Sequence, residues 1–124
     1  MSVFDQQITF LAVSDLERSS DLYGGTLGLP LVLDQGDCRI FRASSDGFIG
    51  ICERPDAPDS GAVIITLVSK NVDRWHQTLV DAGVECDKPP QRNDTYDLYH
   101  AFYRDPDGHV LEIQTFLDPA WPSG

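Results

Sequence analysis

Glu112 is the residue whose surroundings most demand a partner. It lies in Phe102-Tyr103-Arg104-Asp105-Pro106-Asp107-Gly108-His109-Val110-Leu111-Glu112-Ile113-Gln114. Asp-Pro-Asp-Gly supplies a fixed φ at Pro106 and a residue tolerant of positive φ at Gly108, so the two β-prone flanks fold back as a hairpin. In the second arm a period of two puts Val110, Glu112 and Gln114 on one face, with Leu111 and Ile113 on the other. An acid among apolar neighbours in an interior strand costs several kcal/mol to bury unpaired. Glu112 therefore needs a partner, a ligand or a metal.

His100 supplies that partner in one of two hairpin registers. If Arg104 pairs with His109, Ala101 lies beside Glu112 and His100 points to the opposite face. With one more residue in the turn, Phe102 sits opposite Glu112 and His100 lies two residues along the same face, and this second register is the one expected. A lone strand histidine is more often a hydrogen-bonded wall residue than a metal ligand. His76, on a helix, and His109, in the turn, read as solvent-facing. Phe10, Phe102 and a tyrosine could stack on a planar ligand, although aromatic residues on a sheet are as often core. Gly-x-Ser-x-Gly, P-loop and Gly-x-Gly-x-x-Gly patterns are all absent.

The 124 residues suit one domain. Nine Lys and Arg against 20 Asp and Glu leave a formal charge of −11, which repels nucleic acid and anionic membrane surfaces. Such a field attracts cations, but acidity serves solubility just as well. Cys38, Cys52 and Cys86 follow no Cys-x-x-Cys spacing, so reduced thiols and a cytoplasmic location are expected. A secretory leader at Met1 to Gln7 and a membrane span are not expected.

The elements that must position Glu112 come in two similar sets. Ile8 to Val13 reads as a strand, and Ser14-Asp15 caps a helix whose apolar stripe runs through Leu16, Leu22-Tyr23 and Leu27 to stop near Gly28. Leu29 to Leu33, Cys38 to Arg42 and Phe48 to Cys52 follow as strands, the last two joined through Asp46-Gly47. Beyond the Pro- and Asp-rich segment 55–61 the order repeats. Val63 to Val68 is a strand, Asn71 caps a helix through Trp75 and Leu79 to Gly83, and Asp87 to Thr95 with Pro89-Pro90 is a loop. Tyr96 to Arg104 then leads into the Glu112 hairpin. The chain thus reads as a single domain with a first module at 5–54, a linker at 55–61, a second module at 62–117 and a tail at 118–124. Superposing the modules on their Asp-Gly turns puts Ile51 in the place of Glu112 and Glu53 in that of Gln114.

These two copies, with Val13-Ser14-Asp15-Leu16-Glu17, Leu27-Gly28-Leu29 and Asp105-Pro106-Asp107-Gly108 followed by Glu112, resemble the vicinal oxygen chelate superfamily of glyoxalases, bleomycin-resistance proteins and extradiol dioxygenases. The resemblance implies an α+β fold of two βαβββ modules forming a curved mixed sheet around a cup, and a homodimer. It also implies a divalent metal (Zn, Ni, Mn or Fe) in the enzymes, held by a first-strand residue of each module and a last-strand glutamate. Glu112 matches the glutamate, and the expected register of His100 resembles the fosfomycin-resistance branch. Ungapped counting puts Ile8 and Ile64 at the other two positions. A metal set would therefore have to be Glu112, His100 and Gln7, and no cofactor is the first expectation. The reading that follows is a small-molecule binding protein holding a cationic or aromatic compound with Glu112, His100, Phe102, Phe10 and Gln114. The alternatives are a metal-dependent lyase, isomerase or dioxygenase, or a non-catalytic interaction domain.

Overall fold

Ile8 to Val13, β-branched and aromatic, forms most of the first strand of a computed structural model that describes residues 3–55 and 63–122. The chain divides into two units, Met1–Pro58 and Asp59–Gly124. Of the expected linker only residue 55 is described; 56–61 lie outside the described residues. Each unit runs strand, helix and three strands, which is the expected α+β pattern of two βαβββ modules.

In the first unit β1 (Gln7–Val13) lies parallel to β4 (Gly47–Glu53), which continues antiparallel to β3 (Cys38–Arg42) and then β2 (Leu31–Asp34). Helix α1 (Leu16–Ser20) starts where the Asp15 carboxylate accepts the Arg18 N–H. The helix expected to continue unbroken to Gly28 instead widens into a π-helical segment, Asp21–Thr26, closed by Leu27 N–H on the Leu22 carbonyl at 2.8 Å. A Cβ on Gly24 would stand 2.9 Å from the Phe41 ring, so this close approach to the sheet requires glycine. Leu11, Val13, Phe41, Ile49 and Ile51 bury one sheet face with Leu16, Leu22, Tyr23 and Leu27 to form this unit's core.

In the second unit β5 (Ile64–Val68) lies parallel to β8 (Val110–Phe116), followed antiparallel by β7 (Leu98–Arg104) and β6 (Glu85–Asn93). Helix α2 (Val72–Asp81) has Asn71 at its N-cap position, but the Asn71 side chain makes no capping bond; its N–H is held by Ser69 Oγ at 3.1 Å. Val72 and Leu79 pack with Ile65, Ala101, Tyr103, Leu111 and Ile113.

Several expectations need correction. The stretch expected as a loop from Asp87 is strand as far as Asn93. Strand β6 lies at the sheet edge, where proline is tolerated, and Pro89-Pro90 fall in the break in pairing between Lys88 and Gln91. Cys38 and Cys52 are not reduced thiols: they face one another across β3 and β4, with Cα atoms 4.1 Å apart, and form a disulfide, leaving Cys86 free. Their separation in sequence conceals a direct cross-strand pair. His109 is buried, its N–H bonded to Asp105 Oδ1 at 2.8 Å as the turn folds back on itself. His76 is half-buried, with Nδ1 2.7 Å from the Tyr103 hydroxyl. Burial pushes the Tyr103 phenol above its ordinary pKa.

Candidate functional site

The hairpin register decides which side chains share the open face of the second sheet. Phe102 pairs with Glu112, His100 with Gln114 and Arg104 with Val110, which is the expected register with a five-residue turn from Asp105 to His109. Alternation then sends Tyr99, Ala101 and Tyr103 toward α2, and leaves Leu98, His100 and Phe102 beside Glu112 and Gln114 on the other face.

Glu112 finds its partners within this sheet. His100 Nδ1 lies 2.6 Å from Oε2, and Thr66 on the parallel strand β5 donates its hydroxyl to Oε1 at 2.7 Å. His100 and Glu112 are each 8% exposed, deep enough that these bonds are required rather than incidental. A carboxylate whose two oxygens both accept hydrogen bonds fixes the histidine as the Nδ1–H tautomer. No described residue hydrogen-bonds Nε2.

Above this trio the face is concave. An open cavity of about 650 Å³ is lined by Lys88, Gln91, His100, Phe102, Glu112 and Gln114, among others, which is within the ordinary size of a small-molecule site. The Phe102 ring meets His100 edge-on at 4.8 Å, and the Lys88 ammonium lies 5.6 Å from the centre of the Phe102 ring. No described carboxylate pairs with Lys88, whereas Arg92, also at the rim, bonds to Asp94 at 2.9 Å.

Of the residues the sequence singles out, Glu112, His100, Phe102 and Gln114 are brought together here. Phe10 and Gln7 belong to β1 of the first unit. Phe10 is 55% exposed, while Gln7 borders a separate depression with Asp5, Ser44 and Asp46. Thr66 and Lys88 are members that sequence reasoning missed. Thr66 could have been found from its place five residues before Asn71, the same count that separates Phe10 from Asp15.

That count also corrects the expected module correspondence. Phe10 pairs with Gly50 as Thr66 pairs with Glu112, so the first-strand positions beside Gly50 and Glu112 are Phe10 and Thr66, whereas Ile8 and Ile64, equivalent to each other, pair with Phe48 and Val110. Likewise Gly50, not Ile51, stands where Glu112 does, and Cys52, not Glu53, stands where Gln114 does. Superposing the Asp-Gly pairs slips by one residue. Both turns contain five residues, but Gly108 is the fourth, at φ +84°, whereas Gly47 is the fifth and lies in β4 without positive φ.

A sequence model of the Glyoxalase/Bleomycin resistance protein/Dioxygenase superfamily matches residues 6–113. The chain belongs to that superfamily. It is 25% identical to the uncharacterized protein YraH of Bacillus subtilis (strain 168) over 121 residues, covering 86% of this chain and 94% of that one. Among solved structures it is similar to a glyoxalase/bleomycin resistance protein/dioxygenase family enzyme from Burkholderia phytofirmans PsJN, with TM-score 0.79, 17% identity and 89% and 97% of the two chains covered. It is also similar to the genomically encoded fosfomycin resistance protein FosX of Listeria monocytogenes, with TM-score 0.77, 18% identity and 92% and 94% covered. At these identities the structural likeness establishes the fold alone.

The metal that the superfamily implies can be tested against these donors. His100 Nδ1 and Glu112 Oε2 lie at hydrogen-bond distance, 2.6 Å; two ligands of one ion stand about 3 Å or more apart and both face it without a proton between them. Thr66, at the first-strand position, offers a neutral hydroxyl that is already spent on Glu112. Among the described residues no three His, Cys, Asp or Glu side chains gather closely enough to hold a metal. As arranged, the second-unit donors do not fit a divalent ion.

Proposed function

We propose that this superfamily member is a small-molecule binding protein whose site is the open face of the second sheet, where an aromatic compound lies against Phe102 above His100, Glu112 and Gln114. The observation that carries this reading is a buried, mutually bonded pair, His100 and Glu112, at the floor of a cavity of ligand size, with the exposed Thr66 hydroxyl on the second carboxylate oxygen. Polar groups that serve packing alone are not ordinarily gathered beneath open concave space. Of the two ligand characters expected, aromatic is favoured over cationic, because both Glu112 oxygens are occupied and Lys88 lies across the cavity wall. The metal-dependent enzyme reading is disfavoured by the short His100 to Glu112 contact.

The test is a heteronuclear NMR titration with a library of small aromatic compounds. Binding that shifts Phe102, His100 and Gln114 resonances and is lost in Phe102→Ala supports the site. Hits that map elsewhere overturn it.

We also propose a homodimer. Phe10 at 55%, Leu31 and Leu33 at 50% and Ile64 at 51% exposure leave apolar area that a second copy would cover. Light scattering across a wide concentration range should give twice the chain mass; a monomer throughout would refute this.

A further inference from the structure

We propose that the site selects flat heterocycles whose edge carries an adjacent N–H and carbonyl, the cyclic amide of a lactam, and that the Gln114 carboxamide reads this edge. The inference rests on the second-sheet binding reading and adds the chemical class of the ligand. It is carried by a buried carboxamide that lines the cavity and has no hydrogen-bond partner among the described residues.

The sheet register sets out the open face in rows. Lys88, Phe102, Glu112 and Thr66 stand side by side across β6, β7, β8 and β5, and the next row runs Gln91, His100, Gln114 and Val68. In the first row the carboxylate is already bonded on both oxygens, to His100 and Thr66. The second row differs. Its two carboxamides flank His100, both line the cavity, and neither makes a side-chain hydrogen bond among the described residues. Gln91 is exposed and can bond to water, but Gln114 is only 7% exposed. Its backbone carbonyl accepts the Ser69 N–H at 2.9 Å, so the side chain is what remains to bond outward. Neither amide atom of Gln114 is sealed off, and the opening that reaches them is the cavity. A carboxamide presents a donor and an acceptor in one plane, so a coplanar acceptor and donor in the opposite order satisfy both at once. A lactam edge is such a group: its N–H donates to Oε1 while its carbonyl accepts from Nε2. A carboxylate or an ammonium would meet only half of it. Phe102 and Gln114 are diagonal neighbours on β7 and β8, and such pairs, about 7–8 Å apart, are within reach of aromatic and long side chains. A bicyclic ring lying against Phe102 therefore brings its edge to Gln114.

A matched pair of probes separates this claim from simple aromatic binding. 2-Quinolinone and 1-methyl-2-quinolinone share the ring and the carbonyl, but the second lacks the N–H donor. NMR titrations are expected to give about tenfold tighter binding of the first, because the methylated probe leaves Oε1 without a donor. In the wild-type protein the Gln114 side-chain NH2 signals should move downfield with 2-quinolinone and show nuclear Overhauser contacts to its ring protons, a readout that does not depend on any variant folding. Gln114→Leu, its fold checked by the amide spectrum, should reduce the preference to within about twofold. Equal binding of the two probes, a preference that survives Gln114→Leu, or bound 2-quinolinone with the Gln114 side-chain signals unmoved overturns the lactam class, and the binding site stands if Phe102 and His100 resonances shift. If neither probe binds at millimolar concentration while other aromatic compounds do, the lactam class falls alone; if no aromatic compound binds, the binding reading falls with it.

Discussion

The first and second sheets share strand order, pairing directions and a five-residue turn, yet their open faces were given opposite chemistry. Where the second has Thr66, Glu112, His100 and Gln114, the equivalent ladder positions of the first hold Phe10, Gly50, Cys38 and Cys52. The one face is floored by hydrogen-bonded polar groups, the other by a ring lying on a glycine and a covalent clip. A backbone repeat specifies where side chains stand; it does not specify what they do.

The sharpest way to break the contrast is to give the first sheet the second's carboxylate. Gly50→Glu should lower stability by about 3 kcal/mol or more, since a side chain there collides with Phe10 and would leave a partly buried charge unpaired. Urea unfolding measures this, and wild-type stability in the variant would mean that the first face is not closed.

Opening the clip comes next. Cys38 and Cys52 are separated by 14 residues, and reduction is expected to cost about 2–3 kcal/mol by the loop-entropy account. Melting of a Cys86→Ser background with and without dithiothreitol checks it. An unchanged midpoint would show that the clip contributes no stability.

On the second sheet, Thr66→Val leaves Glu112 Oε1 without its donor and should cost about 1–2 kcal/mol. The equivalent Phe10→Val would remove packing but no hydrogen bond. Denaturant midpoints of the two variants, combined with the His100 tautomer, tell a polar floor from an apolar one.

The smallest effect concerns the helix side of β7. Burial raises the Tyr103 pKa above its unfolded value of about 10. The stability this contributes is fully present below about pH 10 and is lost as pH rises through the higher folded value. Tyr103→Phe should cost about 1 kcal/mol at neutral pH through the lost His76 bond, and should fall less steeply in the alkaline range. Tyr99 keeps some slope, because its bond to Asp73 raises its pKa as well. Midpoints from pH 7 to about pH 11 test this, and parallel curves for the two proteins would refute it.

Much of this was legible in the chain. Alternation from Val110 to Gln114 isolated Glu112, and the turn chemistry of Asp105 to Gly108 gave the hairpin; the register that puts His100 on its face was one of two that this turn allowed. What stayed hidden depended on pairing between distant strands. Thr66 reaches Glu112 through a parallel register that ungapped counting missed by two residues, and Cys38 meets Cys52 only once β3 and β4 align. The Asp-Gly pairs misled because one glycine adopts positive φ and the other does not. Strand β6 was masked by two prolines that only an edge position excuses.

The contact between Phe10 and Gly50 also bears on how the two halves could have diverged. The ring occupies the space where any Cβ at position 50 would stand. A single change to a carboxylate at 50 must push that half-exposed ring aside, and a single change at 10 uncovers only bare backbone. A route to a polar first half that begins at Phe10 avoids that crowding, through an intermediate that gains no charged partner and forfeits the ring's packing. The order of substitution is constrained by one crowded contact, and the asymmetry between the halves is correspondingly hard to undo.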